Sequence, residues 1–279
     1  MNQSEFPSKF AAFGYLILGI FLPYFLIVLI VQDPESLLTG NNRYYIFMSE
    51  IFIIIPPLIY LRSKSFSIKK VLRLRAAPLH ILAVSLLTGI AISILGDEID
   101  RLISYFISPP EWISESFDIF QITSIIDFIF IFGGIAIIAP IAEELLFRGF
   151  LQTSLEYQNQ NILRAVLITS LAFSLLHMNT FWVVQIYIFG MVLSYYSWRS
   201  QSVFPGILIH TGINGTSILL TNLEISNQLG WYEVGEHVSP VWIAFSAFAV
   251  YYGFKTLTET YPLETRQSDT IIQSDDGDR

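Results

Sequence analysis

Glu143, Glu144 and Arg148 lie close together in the segment AEELLFRG at positions 142–149. The flanking residues are apolar enough to lie in a lipid bilayer, where ionised side chains are costly and are usually retained for pairing, for lining a wet cavity or for chemistry. On a helix Glu144 and Arg148 share a face, whereas Glu143 points about 100° away. The pattern predicts that Arg148 neutralises one glutamate while the other faces a cavity as a general base. The alternative is that both glutamates belong to a salt-bridged helix end.

Two further polar groups follow, His177 and the pair His210 and Asn214. His177 ends an apolar segment. The chain between Glu143 and His177 turns near residues 158–161, about fourteen residues from each of them. At a rise of 1.5 Å per residue, His177 and Glu143 should lie at similar depth. His210 and Asn214 are four apart and share a helix face. Each could instead be structural, His177 at an interface and the pair as hydrogen bonds between helices.

Composition indicates an integral membrane protein. Hydrophobic residues make up 53% of the 279 and charged residues only 14%, with a mean hydropathy of +0.57, whereas a soluble domain carries about 25% charged residues. The absence of cysteine excludes disulfides, a thiol nucleophile and a cysteine-based zinc site. The net charge of −8 comes largely from polar connections and the acidic tail, and nothing indicates a nucleic-acid partner.

The predicted fold is all-α, a polytopic transmembrane helical bundle. Apolar stretches long enough to span a bilayer, about 17–25 residues, predict about eight spans near 10–31, 44–61, 78–96, 124–156, 162–178, 181–198, 203–222 and 239–254. The fourth is too long for a simple span, and Gly133, Gly134 and Pro140 are places where it could bend or break. We expect one integral membrane domain over residues 1–260 and a disordered polar cytoplasmic tail over 261–279.

Basic residues set the expected orientation. The connection from Arg62 to Arg75 holds basic residues and no acidic ones, which places it in the cytoplasm under the positive-inside rule. The acidic segments 97–118 and 224–236 are then external, and both termini are cytoplasmic. This topology puts His177 near the external end of its span and His210 nearer the middle or the cytoplasmic half, so the two meet only if helices are tilted or broken.

Taken in order, these motifs resemble the CAAX-processing and bacteriocin-processing (CPBP) family of intramembrane endopeptidases, which includes the Ras-converting type of prenyl-protein protease. The family's two glutamates, three residues and arginine match Glu143, Glu144 and Arg148. Its Phe-x-x-x-His matches Phe173 and His177, and its His-x-x-x-Asn matches His210 and Asn214. The resemblance covers about residues 124–222, the motif-bearing core.

The resemblance implies hydrolysis of peptide bonds in membrane-associated or lipidated substrates. It implies that Glu143 activates water, that His177 orients the water or moves its proton, and that His210 and Asn214 stabilise the oxyanion. Glu144, Arg148 and Phe173 would then support the site. The expected partners are the lipid bilayer and a peptide or lipidated protein, and the expected location is a membrane crossed several times, the plasma membrane in a bacterium.

Several alternatives stay open. Zinc could be held by Glu143, His177 and His210, although the zinc-binding signature His-Glu-x-x-His is missing and a glutamate base without metal is favoured. The same intramembrane charges could serve a transporter or channel, although no second copy of either motif indicates the internal repeat that transporters often have. A non-catalytic membrane scaffold or immunity protein is a third interpretation.

Overall fold

The computed structural model describes residues 5–31, 44–45, 49–110, 118–159 and 161–263. Most of them are helical, and the sole strands in these ranges, β1 (Glu233–Val234) and β2 (His237–Val238), form a short antiparallel hairpin. The all-α prediction is therefore confirmed. The helices are α1 (Lys9–Val31), α2 (Ile55–Ser63), α3 (Ile68–Val71), α4 (Leu79–Ser104), α5 (Ile125–Gln158), α6 (Ile162–Leu176), α7 (Val183–Ser200), α8 (Phe204–Ile225) and α9 (Pro240–Thr260), with 3₁₀ turns at Glu50–Phe52 and Asp118–Phe120.

Three of the described helices, α1, α4 and α5, are long and apolar enough to cross a membrane. The expected count of about eight spans is thus not confirmed. Helix α6 is apolar but has only 15 residues, and α7, α8 and α9 carry many polar side chains among their apolar ones. The second predicted span, 44–61, contains a 3₁₀ turn before α2 and is partly outside the described residues, as are positions 264–279 of the predicted tail.

Helix α5 runs through the predicted breaking point without interruption. Its 34 residues include two π-helical stretches, Phe128–Ile138 and Leu145–Leu151, on either side of the α-helical stretch Ala139–Glu144. The helix therefore does not break at Gly133, Gly134 or Pro140, the positions where the sequence suggested a bend or a break. Proline lacks a backbone donor and crowds the preceding turn, and a local shift to the wider π register lets the helix continue past it.

Glycines allow α4 and α8 to pack with their backbones in contact. A Cβ atom on Gly89 of α4 would overlap the Ile209 carbonyl oxygen of α8, and one on Gly212 of α8 would lie 2.7 Å from the Leu86 carbonyl oxygen. Such reciprocal small residues are typical of helix pairs in membranes. Because His210 lies between Ile209 and Gly212, this contact fixes the height and rotation of that histidine.

Segments that the sequence places in the cytoplasm lie together at one end of the bundle. At this end Lys70 pairs with Glu5, Arg73 pairs with Glu156, and Ser202 donates to the Arg75 carbonyl. Segments that are distant in the sequence thus meet at this end of the bundle.

The opposite end of the bundle is acidic. Arg101 on α4 pairs with Asp97 and Glu233, and the Tyr232 hydroxyl donates to Asp97 at 2.9 Å. Burial, followed by the charge of Asp97, raises the pKa of Tyr232, so the phenol stays protonated and keeps donating. These bonds hold the β1–β2 hairpin against α4.

Substitution Gly89→Ala should destabilise the protein by about 1–3 kcal/mol, because the added methyl group meets a backbone carbonyl that cannot turn away. The thermal unfolding midpoint in detergent measures this. Gly14→Ala is the matched control, since nothing lies within 4 Å of the added atom. Equal midpoints for the two variants would contradict the close contact between α4 and α8.

Candidate active site

The Arg148 guanidinium is completely buried and connects several helices. Its Nη1 donates to Oε1 of the equally buried Glu144 at 2.7 Å, and its Nη2 donates to the Gly190 carbonyl of α7 at 3.2 Å. The guanidinium carbon lies 4.2 Å from the ring centre of Phe173 on α6, a cation–π contact. The predicted pairing of Glu144 with Arg148 is present, and it brings α6 and α7 against α5.

Glu144 has a second partner, His210. The imidazole Nδ1 lies 3.1 Å from Oε1 of Glu144, so the carboxylate accepts from both Arg148 and His210. A Cβ atom on Gly206 would lie 2.9 Å from Oε2 of Glu144, so a larger residue at this point of α8 would have to displace that carboxylate. The structural support predicted for Glu144 thus extends to the histidine, whose orientation it sets.

Glu143 lies on a different side of α5 and has a different environment. Its Oε2 is 3.9 Å from Nε2 of His210, too long for a hydrogen bond, and within the described part of the chain it has no hydrogen-bond partner. The carboxylate lines a cavity together with His177, His210 and Asn214. Glu144 is salt-bridged inside α5 rather than at a helix end, and Glu143 lies outside that salt bridge, so the helix-end interpretation fits neither.

His177 follows the last residue of α6, where the chain reverses. Met178 adopts a left-handed conformation with φ of 50°, and the Asn179 side chain accepts from the backbone of residues 181 and 182 before α7 begins. The Nδ1 atom of His177 lies 2.7 Å from the Phe173 carbonyl oxygen. Because a carbonyl only accepts, Nδ1 carries a proton and Nε2 is left for the cavity.

Phe173 is the common neighbour of both imidazoles. Its ring centre lies 4.5 Å from that of His177 and 5.6 Å from that of His210, with edge-to-face geometry in both pairs. The two histidines therefore meet despite the different depths that the loop topology gave them. Helix α6, the predicted span 162–178, has only 15 residues and ends beside the cavity.

Asn214 is tied to the backbone of α5. Its Nδ2 donates to the Ile135 carbonyl at 3.0 Å. In this π-helical stretch the Ala139 N–H donates to the Gly134 carbonyl, five residues earlier. The next bond of the same five-residue pattern would run from the N–H of residue 140 to the Ile135 carbonyl. Because Pro140 has no N–H, Asn214 supplies the missing donor. One N–H of its amide remains for a group in the cavity.

The cavity has a volume of about 1140 Å³ and contains residues that the motifs do not include. One is Glu50, at the 3₁₀ turn, whose carboxylate accepts from the Tyr24 hydroxyl at 2.6 Å. The sequence analysis did not single it out. The signal was present, because Glu50 is an ionisable residue inside an apolar segment, the same property that drew attention to Glu143.

The described residues include no group of three or more His, Asp or Glu side chains placed to hold a metal ion. The Nδ1 atoms of His177 and His210 are engaged by Phe173 and Glu144 respectively. These bonds leave each Nε2 free, and within the described ranges the alternative set of Glu143, His177 and His210 does not form such a metal-binding group.

Residues 125–216 match the family model described as type II CAAX prenyl endopeptidase Rce1-like. This match supports CPBP family membership. The matched range spans all the CPBP motifs, from Glu143 to Asn214, and it implies a protease of the CAAX endopeptidase type in an integral membrane protein. Comparison with curated proteins and with solved structures found no match.

Substitution Arg148→Met should destabilise the protein by about 3–5 kcal/mol, because it leaves the Glu144 carboxylate buried without its cation. Thermal unfolding measures the loss. The double variant Glu144→Gln with Arg148→Met should recover part of it, since the uncompensated charge is gone. Arg164→Met, at an exposed arginine, is the control and should change stability by less than about 0.5 kcal/mol. An equally small effect at Arg148 would contradict the assigned pairing.

Proposed function

We propose that this chain is a multi-pass intramembrane endopeptidase that hydrolyses peptide bonds of membrane-associated or prenylated peptides and proteins. The observation that carries the proposal is a carboxylate, Glu143, facing the imidazole of His210 across 3.9 Å in a cavity shared with His177 and Asn214. The cavity beside this carboxylate would hold the water that Glu143 activates. The family match at residues 125–216 supports the same reaction.

Glu143 is the proposed general base. Glu143 does not belong to the salt bridge between Glu144 and Arg148, so Arg148 does not neutralise its carboxylate directly. It takes a proton from water while the water oxygen bonds to the carbonyl carbon of the peptide. The apolar surroundings of the cavity strengthen each electrostatic interaction in this step.

His210 and Asn214 are the proposed oxyanion donors. Because the Nδ1 of His210 donates to Glu144, its Nε2 carries a proton only in the imidazolium form. In that form His210 would present its Nε2–H to the tetrahedral intermediate as a charged donor. The free N–H of Asn214 is the second donor, held in place by Ile135.

His177 is the proposed proton carrier for the leaving group. Its Nδ1 proton is fixed by the Phe173 carbonyl, so Nε2 is the atom that can take up and release a proton. The proton that Glu143 removes from water must reach the departing amine nitrogen as the carbon–nitrogen bond breaks. His177 lines the same cavity and can deliver it.

The cavity suits an apolar or lipid-modified peptide segment. Its volume of about 1140 Å³ exceeds that of small-molecule sites, which is roughly 300–1,000 Å³. Aromatic side chains line much of the wall, among them Phe120, Phe181, Trp182 and Phe189.

We also propose that both termini are cytoplasmic, on the side where Lys70 and Arg73 lie.

Substitution Glu143→Gln should reduce kcat for a membrane peptide by about 10²–10⁴-fold, because an amide cannot accept the proton from water. The cleavage rate of a fluorogenic lipopeptide in nanodiscs measures this. Glu259→Gln, at an exposed glutamate on α9, should leave kcat unchanged. Ion flux through the parent without peptide cleavage would favour a transporter or channel, and neither activity would favour a scaffold or immunity protein.

Substitution Asn214→Ala should lower kcat by about 10²–10³-fold with little change in KM, because a donor to the oxyanion is lost only in the transition state. Steady-state kinetics with the same lipopeptide separate the two constants. Asn222→Ala is the matched control on α8: its amide binds the Phe120 and Ile218 carbonyls away from the motif residues. It should lower stability and leave kcat of the folded protein unchanged. A rise in KM alone for Asn214→Ala would contradict the oxyanion role.

A further inference from the structure

The connection from Arg62 to Arg75, here called the basic loop, carries six basic side chains and no acidic one. It lies directly before α4, a helix that is long and apolar enough to cross a membrane. Neither the motifs nor the matched range of residues 125–216 includes it, and the proposed hydrolysis gives it no role. A basic cluster beside a membrane span is typical of a surface that binds anionic lipids.

Two of the six basic side chains have partners, and the other four are exposed. Lys70 pairs with Glu5, and the buried Arg73 pairs with Glu156. Among the described residues no ion pair involves the exposed four. These four are Arg62, Lys64, Lys69 and Arg75. Their positive charges therefore remain available to an anion from outside the described part of the chain.

The backbone of the basic loop is fixed to the helices behind it. A Cβ atom on Gly149 of α5 would lie 3.0 Å from the Leu72 Cα atom, so the two backbones are in close contact. The Arg73 carbonyl accepts from the Val203 N–H, next to the start of α8, at 3.2 Å. Because the loop is held by these contacts, little ordering of its backbone is needed when a ligand binds.

Exposed apolar side chains lie next to the exposed charges. Ile59, about one helical turn before Arg62 on α2, is 63% exposed, and Leu79, the first residue of α4, is 81% exposed. Contact of such side chains with water is unfavourable, whereas the acyl chains of a bilayer would cover them. The change from apolar to basic side chains along α2 therefore marks the level where hydrocarbon gives way to lipid headgroups.

Two neighbouring helices begin with the same combination. Lys9 and Phe10 are both exposed at the start of α1, which the ion pair of Glu5 brings to the basic loop. Leu163 and Arg164 are both exposed at the start of α6, directly after the end of α5 that meets the loop. The boundary between apolar and basic side chains thus extends across this end of the bundle.

We propose that the four exposed side chains of the basic loop form a binding surface for the phosphate-bearing headgroups of anionic lipids. The headgroups contact these charges, while the acyl chains lie along Ile59 and Leu79. A lipid fits because it supplies a negative charge and hydrocarbon at one boundary, whereas a free anion supplies only the charge. The loop contacts α5 and lies next to the start of α8, so bound lipid stabilises the folded bundle. This surface is independent of the proposed hydrolysis.

The test measures lipid binding to the full-length chain in detergent by native mass spectrometry. The probes are dioleoyl phosphatidylglycerol and dioleoyl phosphatidylcholine, which share acyl chains, so the ratio of their Kd values reports the headgroup alone. The wild type should bind the phosphatidylglycerol at least about 10-fold more tightly. Changing all four exposed residues to Gln should weaken that Kd by about five-fold for each charge removed and leave the Kd for phosphatidylcholine unchanged. Equal Kd values in the wild type, or an undiminished preference in the variant, would overturn the proposal.

Two further variants serve as controls. Lys64→Arg combined with Lys69→Arg keeps both charges and should keep the Kd for phosphatidylglycerol. Lys255→Gln removes a positive charge from α9 that faces Glu259 at 3.9 Å, and it should leave the headgroup preference unchanged. A loss for Lys255→Gln as large as that for Arg75→Gln would indicate a general effect of net charge and contradict the assignment to the basic loop.

Two other anions could occupy the basic loop, and each predicts a different result. Inorganic phosphate that raises the thermal unfolding midpoint as much as phosphatidylglycerol does would indicate an ion site and overturn the lipid surface. The second candidate is the group of carboxylates after residue 263, outside the described residues. These are changed to Asn in one variant, at Asp269, Asp275, Asp276 and Asp278. An unchanged Kd for phosphatidylglycerol supports the proposal, and a headgroup preference found only in this variant overturns it.

Should the variant with four glutamines fail to fold, the salt dependence of the wild type decides. Raising the salt concentration from about 0.1 M to about 1 M shortens the screening length from about 10 Å to about 3 Å. The Kd for phosphatidylglycerol should then approach that for phosphatidylcholine. A headgroup preference that does not change with salt would not come from exposed charges, and the proposal would be wrong.

Discussion

A buried arginine imposes the central constraint on this bundle. The Arg148 charge has no access to solvent, so its partners must be supplied by the protein. They come from four helices: Glu144 on α5, the ring of Phe173 on α6, the Gly190 carbonyl on α7, and His210 on α8 through the shared Glu144 carboxylate. Satisfying one charge therefore fixes the relative positions of the four helices that carry the motif residues.

The same constraint separates the two adjacent glutamates. Glu144 is fully enclosed and accepts from a guanidinium and an imidazole, whereas Glu143 lines the cavity with its Oε2 3.9 Å from Nε2 of His210. A helix turns by about 100° per residue, so neighbours in sequence can serve opposite purposes. One carboxylate holds the scaffold, and the other is left available for a reactant.

Much of this could be predicted because it depends on local spacing. Four-residue separations place Glu144 with Arg148, and Phe173 with His177, on shared helix faces. The π-helical stretches of α5 could not be predicted, since an apolar run contains no signal that distinguishes a π from an α register. Pairing of Glu144 with His210 and of Tyr24 with Glu50 is non-local, and spacing carries no information about it. The span count was not confirmed, in part because α8 gives several positions to polar site residues and thereby loses hydropathy.

The bond between Asn214 and the carbonyl left over by Pro140 also limits how the protein can move. Axial translation of α8 along α5 by a single residue would strand both the amide and the carbonyl in an apolar interior, where such groups are expensive to leave unsatisfied. The two helices thus behave as one rigid wall. Any group that enters the cavity therefore meets a wall that cannot slide to admit it.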